Sequence, residues 1–304
     1  MMFKAAFFFV LALALSAPLE GADFHIGDYD FSKARSRLKL SPELDEISGI
    51  VFDARGRLFA HNDEAGTVFE LDPATGRIVS KFSIYEKRWF GNDPVMADFE
   101  DIAIAKGVFY LVASSGVIYS FPEGRDGERV EARRHETFLN DLYDVEGLCY
   151  DPSTAALLLA CKENPSGVSV KELLFGGNKT ALGLKPVYSF SLAAMSLERT
   201  PRFLIDSDSL KAVRNGKGKS FKPSAIARHP ANGNFFILSA TARMLVETDR
   251  SGRVLAAVRL PKKDHPQPEG LAFSSGGDLY ISNEGNGKRG LLLRYAGGSA
   301  SGAR

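Results

Sequence analysis

The sequence predicts an all-β, five-bladed β-propeller, and three observations support this. A short inner-strand motif recurs five times, a pair of apolar stretches joined by a tight turn follows each copy, and an N-terminal stretch matches the segment before the last copy. The motif is an acidic residue or Ser, then Gly, Asp or Ala, then Ile or Leu. It appears as Ser48-Gly49-Ile50, Glu100-Asp101-Ile102, Glu146-Gly147-Leu148, Ser224-Ala225-Ile226 and Glu269-Gly270-Leu271.

In chain order, the first residues read as an export signal. Lys4 gives a positive start, residues 5–15 are apolar, and Ser16 and Ala17 are small. Cleavage is expected between Ala17 and Ala22, because Pro18 obstructs a cut directly after Ala17, and no Cys marks a lipid attachment point. The expected organisation is a signal peptide over 1–22, a propeller domain over 23–297 and a disordered tail over 298–304. The expected location is the periplasm or the medium. Cys149 and Cys161 are the only cysteines, so a large apolar core and not a disulfide scaffold must hold the domain.

Each motif copy opens a first strand, and a turn such as Asp53-Ala54-Arg55-Gly56 or Asp151-Pro152-Ser153-Thr154 returns the chain into a second. Third and fourth strands follow most clearly over 68–71 and 78–84, and over 244–248 and 254–260. The copies lie 52, 46, 78 and 45 residues apart, the spacing of four-stranded blades. The long interval is read as an insertion of about 30 residues in the connection from the third blade to the fourth, because residues 195–221 are polar and irregular. The last copy stops after three strands, at residues 291–295. Arg37-Leu38-Lys39-Leu40 precedes the first motif as Val258-Arg259-Leu260 precedes the last, so the N-terminal strand is expected to complete the last blade and close the ring.

In an antiparallel meander with short first and third turns, all longer loops lie on one face. That face collects Ser48, Glu100, Glu146, Ser224 and Glu269 around the central channel, together with the second-strand ends His61-Asn62-Asp63-Glu64, Lys162-Glu163-Asn164 and Ser282-Asn283-Glu284. Three carboxylates, Glu100, Glu146 and Glu269, repel one another in a narrow channel unless a positive charge offsets them. Oxygen donors without a Cys or His cluster suit a hard cation, and flexible loop carboxylates suit Ca2+ better than Mg2+. An ion-pair network with Lys162, Lys222 or Arg88 is the alternative. His61 and His265 fall on the same face, where either is a candidate base.

With 38 basic and 37 acidic residues in 304, the chain lacks the field that gathers nucleic acid or anionic membrane, and no later apolar stretch is long enough to span a bilayer. The expected partner is a small molecule or protein on the loop face of a monomer. Gly285-Asn286-Gly287-Lys288-Arg289-Gly290 satisfies a dinucleotide fingerprint, but no helix follows it. Gly218-Lys219-Ser220 lacks the first glycine of a phosphate loop, where Val213 stands.

Glu46-Ile47-Ser48-Gly49-Ile50, His61-Asn62-Asp63, Asp98-Phe99-Glu100-Asp101-Ile102, Asp144-Val145-Glu146-Gly147-Leu148 and Gln267-Pro268-Glu269-Gly270-Leu271 together resemble the SdiA-regulated family, over roughly residues 38–295. The Glu-Gly-Leu element is shared with NHL-type propellers. The resemblance implies a five-bladed propeller, export in Gram-negative bacteria, a bound calcium and no established activity. It carries the metal site onto Glu100, Glu146 and Glu269, while Ser48 and Ser224 leave two blades without a carboxylate. Two functions follow as expectations: a calcium-binding module for an unknown ligand, or a calcium-dependent hydrolase of lactones or phosphoesters.

Overall fold

The computed structural model describes residues 24–88, 91–165, 183–211, 213 and 219–297. These residues form a five-bladed β-propeller. The expected signal peptide, the tail and the Gly218 loop lie outside the described residues or border on them.

The first blade is β2 (Ile47–Phe52), β3 (Leu58–Asn62), β4 (Thr67–Leu71) and β5 (Ile78–Arg88), with β6 (Gly91–Pro94) paired onto β5. The second is β7 (Phe99–Ala105), β8 (Val108–Ala113), β9 (Ile118–Phe121) and β11 (Arg133–His135). Between β9 and β11, the short β10 (Arg129–Glu131) runs parallel to β5 and ties the second blade's loop to the first blade's edge. The third is β12 (Val145–Asp151), β13 (Ala156–Cys161) and β14 (Leu184–Ser191), with β15 (Ser196–Leu197) and β16 (Phe203–Asp206) both paired to β14. The fourth is β17 (Ala225–Arg228), β18 (Phe235–Ser239), β19 (Met244–Thr248) and β20 (Val254–Arg259). The last is β21 (Pro268–Phe273), β22 (Leu279–Asn283) and β23 (Leu291–Tyr295), with β1 (Ser36–Lys39) antiparallel to β23 as its outer strand.

Turn chemistry explains the hairpins. In the β2–β3 turn, Asp53 Oδ1 accepts the N–H groups of Arg55 (2.9 Å) and Arg57 (2.8 Å), and Gly56 takes φ +80°. Asp249 and Gly252 repeat this between β19 and β20, so an Asp three residues before a Gly fixes both loops. The second strands β13, β18 and β22 are buried at every position, because neighbouring blades cover both of their faces.

Five apolar layers hold the ring, one between each neighbouring pair of blades. The layer between last and first blades joins Tyr280 and Leu292 to Leu58 and Phe69, and Leu40, just after β1, is buried in it. An unforeseen strap, residues 24–31, crosses the outside of the last two blades. Ile26 and Tyr29 are buried there, Tyr29 Oη donates to Gly277 O (2.7 Å), and the Ile26 N–H reaches the buried Glu247 carboxylate (2.8 Å).

The insertion needs correction in part. Residues 195–221 are not wholly irregular, because β16 within them is the third blade's outer strand. The extra length is split between the β13–β14 connection, whose residues 166–182 are outside the described set, and the run from β16 to β17. Cys149 faces Leu158, and both thiols are free and buried. An unbroken continuation of that pairing would set Cys161 opposite Glu146; it faces Val145, because the strand bulges between Val145 and Gly147. The fingerprint at 285–290 forms a loop between β22 and β23.

Candidate functional site

The bulge that shifts Cys161 is the device that builds the site. The ladder slips between Ile47 and Ile50, Phe99 and Asp101, Val145 and Gly147, and Pro268 and Leu271, each time at the motif's Ser or Glu. A bulged residue leaves the alternation of the strand, and its side chain turns toward the axis. In the fourth blade, the Ser224 N–H bonds to Leu238 O, opposite Ala225. The glycine after the bulge is required at two contacts. A Cβ on Gly270 would lie 2.4 Å from Ser48 O, and one on Gly147 would lie 2.9 Å from the Ile226 backbone N, so inner strands of adjacent blades meet backbone to backbone.

The five motif positions converge on one cavity of about 180 Å³ at the channel mouth. Glu100, Glu146 and Glu269 all line it, with Ser48 and Ser224. Asp63 and Glu284, from the ends of second strands, and Asp98 join them. No site role follows from the sequence for Asp98 or Asp144, each of which stands two residues before a motif glutamate.

Lys162 is the cation in this cavity. Its Nζ contacts the Glu146 carboxylate and lies 3.7 Å from Asp144 Oδ2. Lys222, an expected partner of the glutamates, pairs instead with Glu163, which also holds Lys185 at 3.0 Å. The Arg88 side chain is outside the described set. One ammonium does not balance the cavity. Burial, then the charge of Asp98, pushes the Glu100 carboxyl well above its ordinary range. Burial pushes Glu269 up to about 7 even with Lys162 opposing it, and Asp63 and Glu284 are raised by burial as well.

Asp63 Oδ1 is buried and accepts no hydrogen bond among the described residues. Such an orphan acceptor, among carboxylates, two hydroxyls and the Gln267 amide with Lys162 beside them, matches the donor chemistry of a hard cation. Among the described residues, no three His, Cys, Asp or Glu side chains stand in an arrangement that holds a metal ion.

His61 and His265 are not poised as bases. His61 is fully buried; its Nε2 accepts the Gly49 N–H (3.1 Å), its Nδ1 lies 2.9 Å from Asn62 O, and burial lowers it to about 4. It satisfies the N–H freed by the first blade's bulge. His265 sits between Tyr295 Oη (2.6 Å) and Asn283 Nδ2 (3.3 Å), also lowered to about 4 by burial. Below the mouth, Asp101 replaces the motif glycine and is buried. Its carboxylate accepts the N–H of Ile102 (2.8 Å) and of Leu148 in the next blade (2.7 Å), which staples two inner strands.

A family model described as SdiA-regulated matches residues 136–287, half of the chain. The chain belongs to the SdiA-regulated family. The matched half carries Glu146, Lys162, Ser224 and Glu269, so much of the cavity lies inside it. No sequence among curated proteins matches. Of solved structures, a glutaminyl cyclase from Myxococcus xanthus is similar at TM-score 0.54 and 13% identity, over 87% of this chain and 95% of that one. A gluconolactonase from Xanthomonas campestris is similar at TM-score 0.48 and 14% identity, over 82% and 72%. At 13% identity the likeness to the glutaminyl cyclase structure speaks for the propeller fold alone. Among the described residues of this SdiA-regulated chain, no helix is long and apolar enough to cross a membrane.

Proposed function

We propose that this SdiA-regulated propeller is an exported calcium-binding module, in which an ion among Glu100, Glu146 and Glu269 fixes the loop face for a ligand or partner. The observation that carries the reading is the imbalance of the axial cavity. Glu100, Glu146, Glu269, Asp63, Asp98 and Glu284 line it with Lys162 as counter-charge, and Asp63 Oδ1 is left without a partner among the described residues. A bound calcium would neutralise these carboxylates and clamp the strand starts of several blades. Export is supported by Lys4 and the apolar run 5–15.

A specific observation favours a second reading. The contact between Lys162 and Glu146 is what an ion-pair network without metal would show. The two readings differ in what happens on adding calcium to chelator-treated protein. The module reading expects the melting temperature to rise with calcium, and the rise to shrink in Glu146→Gln, because an ion that binds only the folded state stabilises it by mass action. A melting curve indifferent to calcium, together with a loss of stability in Lys162→Met, would establish the network instead. The hydrolase alternative draws no support from the two histidines, which are buried and engaged. It would need turnover in a panel of lactones and phosphoesters that a chelator abolishes.

A further inference from the structure

Beside the acidic mouth lies a second, larger cavity of about 450 Å³ whose wall has the opposite charge. It shares Lys162 and Glu269 with the axial cavity and extends outward over the fourth blade. Lys219, Lys222, Arg243 and Arg259 line it as well, so five cations face a single carboxylate in the wall. Lys162 and Lys222 are committed to Glu146 and Glu163. Arg243 and Arg259 have no carboxylate within salt-bridge distance among the described residues. They are neighbours: Arg243 immediately precedes β19, whose first residue Met244 pairs with Arg259, and Arg243 O accepts the Leu260 N–H at 2.8 Å.

Solvated surface arginines are common, but here the two guanidinium-bearing residues sit side by side in the wall of a concave site with further cations opposite. Like charges so arranged repel one another, and an anion entering the cleft relieves the repulsion. Arg243 closes the turn from Ala240 with φ +46°, a left-handed conformation in which Gly or Asn is at ease. The cavity volume falls within the range of small-molecule sites. The balanced overall charge provides no broad positive field for a polyanion.

We propose that this cleft binds a small organic acid, its carboxylate or phosphate held by Arg243 and Arg259 and its remainder directed toward Glu269 and the axial mouth. The inference rests on the loop face being a binding surface and deepens that reading by naming the ligand class. It does not need the calcium ion, so it is tested in chelator.

Calorimetric titration of the whole protein with gluconate, glycerol phosphate and glucose separates carboxylate, phosphate and neutral ligands. At least one acid is expected to bind with a Kd of about 1 mM or tighter, and glucose is expected not to bind. Added salt should weaken the binding. Arg243→Gln and the more exposed Arg259→Gln should each raise the Kd about tenfold with an unchanged melting temperature, since each removes a charge-assisted hydrogen bond. The proposal is overturned if neither acid binds, if glucose binds as well as the acids, or if both folded variants keep the parental Kd. Calcium stabilisation without acid binding removes this inference alone, and acid binding without a calcium effect removes the ion alone.

Discussion

Replacing Glu269 by Gln should stabilise the calcium-free protein at alkaline pH and weaken its response to calcium. The carboxyl titrates at about 7 in the folded chain, raised from 4.5 by burial, with Lys162 opposing and Glu284 adding to the shift. Between these values the folded state keeps a proton that the unfolded state has lost, so stability falls as pH rises through that window. At 1.36 kcal/mol per pH unit the full loss is about 3 kcal/mol, and because water reaches part of the side chain the expected loss is about 2–3 kcal/mol. Glutamine cannot ionise and escapes it. In a chain of this size that difference corresponds to a melting temperature about 5 °C higher for Glu269→Gln at about pH 8, vanishing near pH 4.5. Thermal melts in chelator across this range measure it. In saturating calcium the order should invert, because the ion binds the carboxylate and not the amide. If Glu269→Gln melts at or below the parent in chelator at about pH 8, then burial is not what raises this carboxyl.

Other expectations concern the frame. Deleting residues through Leu40 removes β1 and the strap, leaves β23 as an open edge and uncovers Leu292, so the truncated protein should lose its cooperative melt or aggregate; a melt like the parent's would mean that the ring does not depend on β1. Tyr29→Phe removes the bond to Gly277 O and should cost about 1 kcal/mol in denaturant unfolding, with the loop face unaffected. Cys149 and Cys161, buried and with thiol pKa values raised by burial, should be silent to maleimide in the folded protein and both alkylate after unreduced denaturation. A mass lacking both adducts would reveal a bridge that the register forbids.

The fold was legible because each motif copy carries both its strand pattern and its turn chemistry. Asp53 and Gly56, or Asp249 and Gly252, mark a hairpin without any knowledge of its neighbours. The three motif glutamates were legible for the same reason, since a repeat places equivalent residues at equivalent radii. What escaped depends on contacts between distant segments. The strap through Ile26 and Tyr29 is a short apolar pair whose partners lie some 200 residues on. The histidines looked like loop-face residues because chain position gives a side chain's height along the axis but not whether it points into a blade. The bulge at Glu146 moved Cys161 by one place because a two-for-one pairing leaves no trace in strand composition. The cationic cleft was invisible because Arg243 and Arg259 meet only through the register of β19 and β20.

Because the residue facing the axis in four blades is the supernumerary one, it contributes nothing to the one-to-one matching of strands. Its chemical identity and the architecture are therefore independent variables. Serine stands there in the first blade and glutamate in the second, with the same slip of the ladder beneath both. The channel mouth is thus a ring of interchangeable letters on a fixed frame. Its charge can be rewritten blade by blade without repacking any of the five apolar layers, whereas removing one residue from a bulge would turn the letter away from the axis and leave the frame standing.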